Sequence, residues 1–247
     1  MTATQRSDIR REINPARDGA VESVVHPPEL PAFPCGWIER PFPIGDRTLR
    51  LMLPYRPDSL LDDLTVLAKN ERDDYMPYWA YLWPAALHMF RAVMTADWPA
   101  GARVLELGCG VGLVGLAALA RGGHVDLTDY EQQSVTVAEY NARLNGFQNF
   151  SAFTLDWRQP PRTTYPIILG CDLLYEQRNL VPILDLLEVM LEPGGICWLA
   201  DGGRHVAHQF WYLARERGYN VTMRGVDGQE LSMPGLHYQI FELCRTD

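Results

Sequence analysis

Long hydrophobic segments are missing from this chain of 247 residues. No apolar run approaches the ~18 residues that span a bilayer, and residues 1–25 lack the hydrophobic core of a secretion signal. We therefore expect no membrane association and a cytoplasmic location. Cysteine is scarce as well. The five cysteines include no Cys-x-x-Cys pair, which is typical of reduced thiols rather than of a disulfide framework.

Basic residues are fewer than acidic ones, and potential metal ligands are not clustered. The net charge is −9, and among the 22 basic residues only Lys69 is a lysine. An acidic surface disfavours a nucleic acid as partner and suits a basic protein or a small neutral molecule. The six histidines are scattered, and the one close pair, His205 and His208, has no further ligand residue nearby in the sequence. We therefore expect no metal site and no nucleic-acid partner.

Polar, apolar and turn-forming segments divide the chain into three parts. Residues 1–35 are polar and rich in proline towards their end, which predicts a flexible leader. Residues 36–98 hold short alternating runs followed by helical patterns near 59–69 and 84–94, and they predict a small N-terminal cap of a hairpin and helices. Residues 99–247 form the core, in which strand and helix patterns alternate.

This alternation predicts an α/β fold, because strand, helix and strand at this spacing form a parallel sheet covered on both faces. The last two strands are joined by a turn-rich stretch without a helix, so we expect the last strand to run antiparallel. The fold class is a Rossmann-like seven-stranded, mostly parallel sheet. The expected strands lie near 103–107, 124–128, 150–155, 166–171, 195–200, 219–226 and 236–244, and the expected helices near 113–121, 132–145, 177–191 and 206–217.

The loop after the first of these strands is the most informative segment. The strand carries Glu106 near its tip, and Gly108, Gly110 and Gly112 follow before a helix opens. Alternating glycines expose the backbone where a ligand must come close. An acid two residues before the first glycine is the mark of S-adenosylmethionine (SAM) sites. Its carboxylate can bind the amino group or the ribose hydroxyls of SAM, and it would repel a pyrophosphate.

Two other interpretations of this loop stay open on the sequence alone. The segment Gly110 to Gly115 also fits the dinucleotide pattern G-x-G-x-x-G, with Asp129 about twenty residues on. In that register Glu106 has no role. The glycines could also serve only the packing of a strand against a helix.

Acidic and aromatic side chains follow the next strands, at the edge where open parallel sheets bind ligands. Asp129 follows the second strand; it can chelate the two ribose hydroxyls, or it caps the next helix. Asp156 and Trp157 follow the third; they suit an adenine amino group and a stacked ring, or they form a plain turn.

The fourth strand ends in Cys171 and Asp172, and Tyr175 follows three residues later. An acid and a phenol at this spacing can both project into the crevice; the alternative is a capping aspartate and a packed tyrosine. The fifth strand ends in Ala200-Asp201 and is followed by Gly202-Gly203-Arg204, where the glycines leave room for a substrate and the arginine could be only a surface charge.

Four segments in this order resemble the seven-β-strand SAM-dependent methyltransferases of the protein-lysine type, methyltransferase family 16. They are the element from Trp79 to Ala86, the loop from Glu106 to Gly112, Leu155-Asp156-Trp157 and Asp172-Leu173-Leu174-Tyr175. The D-x-x-Y tetrad is the most specific. The W-x-x-x-W-P element looks like the branch that contains the electron-transfer-flavoprotein β-subunit lysine methyltransferase. The resemblance covers about residues 37–245.

The resemblance implies a role for each matching residue. Trp83, Gly108 and Gly110 would contact SAM together with Glu106, and we add Gly112, Asp156 and Cys171 to the cofactor set. Asp129 would bind the ribose and Trp157 the adenine region, while Asp172 and Tyr175 would form the catalytic, acceptor side. The chain departs from its relatives at Gly202-Gly203-Arg204, where a proline is common.

These observations lead to the hypothesis of a monomeric SAM-dependent methyltransferase that acts on a lysine side chain of a protein. Asp172 would orient the attacking amine and help it lose a proton. Two alternatives remain: methyl transfer to a small-molecule amine or ring nitrogen, and a SAM-binding protein without catalysis.

Overall fold

A two-stranded hairpin and a seven-stranded sheet make up the β-structure. The computed structural model describes residues 23–45, 47–73 and 75–245. The hairpin pairs β1 (Trp37–Ile44) with β2 (Arg47–Pro54). The sheet contains β3 (Arg103–Leu107), β4 (His124–Asp129), β5 (Phe150–Thr154), β6 (Tyr165–Cys171), β7 (Leu191–Asp201), β8 (Tyr219–Arg224) and β9 (Gln239–Arg245). The helices are α1 (Leu64–Asp73), α2 (Pro84–Thr95), α3 (Leu113–Ala120), α4 (Gln132–Leu144), α5 (Gln177–Met190) and α6 (His205–Glu216), with 3-10 helices at Pro57–Asp62 and Tyr78–Ala80.

The strands of the sheet follow the order β5-β4-β3-β6-β7-β9-β8. The pairs from β5 to β7 are parallel, whereas β9 runs antiparallel to both β7 and β8. The Rossmann-like fold and the antiparallel last strand are thus confirmed. Strand order reverses between β3 and β6, so the carboxyl ends of these two strands flank the crevice in which such sheets bind ligands.

Boundaries differ most from the sequence prediction at the starts of two strands. β7 begins at Leu191 rather than near 195, because Leu191 pairs with Tyr165 ahead of an irregularity in the ladder. β9 begins at Gln239 rather than near 236. Among the described residues, no helix is both long and apolar enough to cross a bilayer.

The predicted start of the first helix is wrong. The segment Pro57–Asp62 is a 3-10 helix, and α1 begins only at Leu64. The reason is the capping residue: the Asp63 carboxylate accepts the backbone N–H groups of Thr65, at 2.8 Å, and Val66, at 3.3 Å. An aspartate that satisfies these N–H groups begins a helix, and the sequence offered several aspartates in this segment.

Asn141 of α4 joins the hairpin to the sheet. Its Oδ1 accepts the N–H of Met52 at 2.7 Å, and its Nδ2 donates to the carbonyls of Met52, at 3.1 Å, and Val111, at 2.9 Å. Residues 36–98 and 99–247 also contribute to one hydrophobic cluster. The hairpin therefore helps to hold the glycine loop, and the division into a cap and a core stays a prediction.

Residues 25–35 differ from the expected flexible leader. Val25 exchanges two backbone hydrogen bonds with Trp37, at 2.8 and 2.9 Å. Leu30 and Phe33 are buried, and the Phe33 ring lies 5.3 Å from the Trp37 ring. Apolar residues separated by prolines carry no helical or strand period, which is why the sequence did not indicate this packing. Residues 1–22 of the predicted leader lie outside the described residues.

Phe33→Ala should therefore destabilise the protein. Removing a ring that is 5% exposed should cost about 3 to 5 kcal/mol of unfolding free energy. Denaturant unfolding of the variant measures it. The matched control is Val24→Ala, directly before this segment, where the side chain is exposed and a change below about 1 kcal/mol is expected. Equal stability of Phe33→Ala and wild type would show that this segment does not contribute to the core.

Candidate active site

A cavity of about 920 Å³ lies at the carboxyl ends of β3, β4 and β6. Every residue of the site predicted from the sequence lines it, except Gly112: the lining includes Trp83, Glu106, Gly108, Gly110, Asp129, Asp156, Trp157, Cys171, Asp172 and Tyr175. A volume of this size suits a cofactor-sized ligand. Within the described residues there is no group of three or more His, Cys, Asp or Glu side chains that could hold a metal.

The glycine loop lies against one wall of this cavity. Gly110 has φ +54°, in the left-handed region that favours glycine, and a Cβ there would lie 3.4 Å from the Trp79 carbonyl oxygen. Its N–H donates to Asp129 Oδ2 at 3.0 Å. Gly112 packs against α4 instead, because a Cβ on it would lie 3.0 Å from Ala138. The loop is thus shaped at Gly110 for close approach and at Gly112 for helix packing.

Glu106 is buried behind this loop. It is 3% exposed, and its Oε2 accepts the N–H of Gly115 at 2.9 Å. Burial raises the pKa of the carboxyl to about 8, which the Gly115 hydrogen bond only partly opposes. A cation in the cavity would favour the ionised form of this carboxyl.

Glu106→Gln should stabilise the protein increasingly as pH rises. In the unfolded chain a Glu ionises near its ordinary value, whereas the folded carboxyl holds its proton up to about pH 8. The folded state therefore binds more protons, and wild type loses stability between about pH 4.5 and 8. Melting temperatures in this range should separate, with the variant above wild type by at least about 4 °C at pH 8. A constant difference across the range would contradict the buried, protonated state.

Asp129 is tied to two backbone amides at the end of β4. Its Oδ2 accepts the N–H of Gly110 and its Oδ1 that of Glu131, each at 3.0 Å. Burial raises the pKa of this carboxyl, while the amide hydrogen bonds lower it. The residue that caps α4 is Glu131, so Asp129 is not the helix cap that the sequence left as an alternative. Its carboxylate is fixed at the cavity wall.

Asp156 forms an ion pair on the rim of the cavity. Arg158 Nη2 and Nε each lie 2.7 Å from one of its carboxylate oxygens, and hydrogen bonds from Arg158 hold the pKa of Asp156 below its usual range. The carboxylate is therefore already paired. Trp157 reaches further in, since a Cβ on Gly108 would lie 4.0 Å from its ring.

Asp172 also lines the cavity, directly after the end of β6. Its φ of +55° lies in the left-handed region, where Asp is one of the few tolerated side chains. The side chain is buried, its Oδ1 forms an ion pair with Arg204, and its Oδ2 makes no hydrogen bond within the described part of the chain. Burial raises the pKa of this carboxyl, and the Arg204 charge opposes the rise. The Ala85 amide, in the first turn of α2, also favours the ionised form.

Aromatic rings line the same cavity. The Tyr78 ring lies 5.3 Å from Tyr175 and 5.8 Å from Trp83, both edge to face. Trp83 Nε1 donates to the Tyr78 carbonyl at 2.9 Å, which fixes the indole at the entrance to α2. Ring faces next to a carboxylate suit a cationic or alkyl-ammonium group.

Two residues of this site were not identified from the sequence. Arg204, read as a surface charge, pairs with Asp172 and lies with its guanidinium carbon 5.9 Å from the Trp83 ring centre. Asp201 is fully buried at the end of β7 and binds the same guanidinium at 2.9 Å. The sequence did point to Asp201, because open parallel sheets bind ligands at the carboxyl ends of their strands and Asp201 ends a strand just as Asp172 follows one.

The cavity fits SAM better than a dinucleotide. Glu106, Asp129 and Asp172 bring three carboxyl groups to its wall, and a cation bound there would favour their ionised, negatively charged forms. SAM carries a sulfonium and an ammonium, which this charge favours, whereas a pyrophosphate would be repelled. The loop also leaves close backbone approach open at Gly110.

Comparisons with known proteins agree with this fit. A family model described as lysine methyltransferase matches residues 75–214, more than half of the chain. EEF1A lysine methyltransferase 3 of Mus musculus is 30% identical over 178 residues, which are 64% of this chain and 76% of that protein. The electron transfer flavoprotein beta subunit lysine methyltransferase of Danio rerio is 28% identical over 103 residues, 41% of this chain and 40% of that protein.

Among solved structures, a TehB-like SAM-dependent methyltransferase from Corynebacterium glutamicum has a TM-score of 0.56 at 18% identity, covering 77% of this chain and 98% of that one. This likeness shows the fold. The chain belongs to the lysine methyltransferase family, as the four sequence segments indicated. Family and fold imply SAM as the cofactor. The chain spans 35% and 54% of the length of two other curated relatives.

Proposed function

We propose that this protein transfers a methyl group from SAM to the side-chain amine of a lysine in a protein. The observation that carries the proposal is the Asp172 carboxyl at the wall of a cavity that the Tyr78, Trp83 and Tyr175 rings also line. A lysine would place its ammonium or amine against this carboxyl and its alkyl stem along the rings. The names of the relatives in the family support a protein lysine as acceptor.

The cofactor would be held by the glycine loop and by the side chains at the ends of β4 and β5. The backbone of Gly108 and Gly110 would follow the ligand closely, Asp129 would bind ribose hydroxyls, and Trp157 would cover the adenine. Glu106 would compensate positive charge from behind the loop. SAM supplies an electrophilic methyl group on sulfur when it is bound. The chain's own part is to position the amine in line and to exclude water.

Asp172 has two parts in this proposal. Its carboxylate docks the charged side chain, and it holds the nitrogen in place once the proton has left for solvent. The negative charge of Asp172 stabilises the ammonium, so the acceptor is bound before it is deprotonated. We further propose a protein rather than a nucleic acid as partner, on the net charge of −9. The monomeric state and the cytoplasmic location stay predictions.

Mass spectrometry of a cell lysate tests the acceptor. The purified protein is incubated with lysate and SAM carrying a deuterated methyl group, and peptides are searched for the label. We expect labelled lysine. Label on small amines alone would favour the small-molecule alternative, and SAM binding without any S-adenosylhomocysteine would favour the non-catalytic one. Asp172→Asn serves as the inactive control.

Turnover on a lysine acceptor should rise as pH increases from 7 towards 9. A free lysine is neutral in only about one part in a few thousand at pH 7, and this fraction grows with pH. Single-turnover rates at saturating SAM measure the rise, which we expect to be roughly tenfold or more. A ring nitrogen with a pKa below 7 is already neutral, so a flat profile would contradict the lysine acceptor.

A further inference from the structure

We propose that Arg204 is a positioning residue, which holds the Asp172 carboxylate by Oδ1 and so fixes its orientation at the acceptor side of the cavity. The inference rests on the proposed function and adds to it a residue outside the D-x-x-Y tetrad. Arg204 lies 32 positions from Asp172 in the sequence, on the loop between β7 and α6, and meets it only through the fold.

Arg204 is itself fixed from behind by Asp201. This carboxylate is fully buried, and its Oδ1 accepts the N–H groups of Gly203 and Arg204, each at 2.7 Å. Its Oδ2 accepts the guanidinium Nη1 at 2.9 Å. The same Nη1 donates to Asp172 Oδ1. A guanidinium held by two carboxylates and by its own backbone is pre-organised rather than a mobile surface charge.

The backbone next to Arg204 is tightly packed at Gly203. Gly203 has φ +89°, and a Cβ there would lie 2.3 Å from the backbone nitrogen of His237. The loop is therefore packed against the connection between β8 and β9. Any side chain at this position would push Arg204 away from Asp172.

The charges of the cluster leave a place for one more cation. Asp172 and Asp201 carry two negative charges and Arg204 one positive charge, a net of −1. Asp172 Oδ2 is buried and makes no hydrogen bond among the described residues, so the negative charge of this carboxylate is only partly balanced by the Arg204 contact at Oδ1. Cys171 and Tyr238 also face Asp172, and burial raises the pKa of both groups, so neither supplies charge at neutral pH. One ammonium would complete the balance.

The test compares Arg204→Ala with a matched control, Arg217→Ala. Arg217 also bridges two carboxylates, those of Asp185, at 2.6 Å, and Glu188, at 3.0 Å, with a side-chain exposure of 27% against 30% for Arg204. It lies away from the cavity. Both variants lose an arginine from a two-carboxylate cluster, so only an effect specific to the site separates them.

The first measurement needs no acceptor. Aspartate labelled with ¹³C at the carboxyl is titrated by NMR, and the Asp172 signal is assigned by its loss in Asp172→Asn. Without Arg204 the pKa of Asp172 rises, so we expect this carboxyl to titrate about 1 to 3 pH units higher in Arg204→Ala and unchanged in Arg217→Ala. Arg204→Lys, which keeps the charge, should titrate near wild type, and Arg204→Gln, which removes the charge with less loss of volume, replaces Arg204→Ala if that variant does not fold.

The second measurement uses the acceptor labelled in the lysate experiment. We expect Arg204→Ala to keep its SAM affinity, to lose about 100-fold in kcat at pH 7, and to regain part of it at higher pH or on addition of guanidinium chloride in the millimolar range. Sodium chloride at equal ionic strength is the salt control. Arg217→Ala should keep kcat.

Unchanged titration of Asp172, or a loss of kcat equal to that of Arg217→Ala, would overturn the role of Arg204 while leaving the proposed function intact. Failure of the wild type to label any lysine would instead overturn the proposed function. The titration would then still decide whether Arg204 holds Asp172.

Discussion

Asp172→Asn should keep SAM affinity within about threefold and lower kcat by about 100-fold or more. We propose that Asp172, directly after the end of β6, lies on the acceptor side, so we expect its charge to act on the acceptor and to contribute little to cofactor binding. Asparagine is the correct replacement because the residue has φ +55°, which asparagine tolerates and alanine does not. Loss of activity in Asp172→Ala could arise from the backbone alone.

Calorimetry with SAM and single-turnover rates with the lysine acceptor measure the two quantities. Asp185→Asn is the control, since it removes an exposed carboxylate that also pairs with an arginine, Arg217. The control should retain full kcat. If Asp172→Asn weakened SAM binding as much as turnover, Asp172 would belong to the cofactor wall and the proposed acceptor side would be wrong.

Gly110→Val should abolish measurable SAM binding. A side chain at φ +54° is strained, and it would enter the gap between the loop and the Trp79 carbonyl, on the face where the ligand approaches. The N–H that holds Asp129 would move with it. Both effects act on the cofactor wall, so we expect a loss of affinity of about 100-fold or more.

Gly122→Val separates strain from loss of the site. Gly122 has φ +85°, and a Cβ there would have no neighbour within 4 Å. This variant should lose a similar amount of stability, about 1 to 2 kcal/mol, and bind SAM as wild type does. SAM titrations of both variants, after their melting temperatures confirm folding, decide the matter. Normal binding by Gly110→Val would contradict the placement of the cofactor along the glycine loop.

The sequence could predict those residues of the candidate site that lie at the carboxyl ends of strands. Glu106, Asp129, Trp157 and Asp172 each follow or end a strand that the alternating pattern indicated, and all of them line one cavity. Gly112 is the exception. The motif counts it with Gly110, but its partner is Ala138 on α4, and helix packing cannot be read from a loop motif.

Contacts between distant segments could not be predicted in this way. Phe33 carries no periodic neighbours, so nothing local showed that it would be buried. Arg204 follows two glycines and resembles a surface charge until β7 is placed beside β6. The aromatic contact between Tyr78 and Tyr175 joins the segment before α2 to the segment after β6.

The sequence by itself determined the α/β class, the antiparallel last strand, the glycine loop and the acids at the strand ends, because hydrophobic period and turn residues are local properties of the chain. Only the tertiary structure decided the insertion of β9 between β7 and β8, the capping of α1 by Asp63, and the ion pair between Asp172 and Arg204. Strand order and side-chain pairing depend on which segments meet in space, and the burial that gives such pairs their strength exists only after folding.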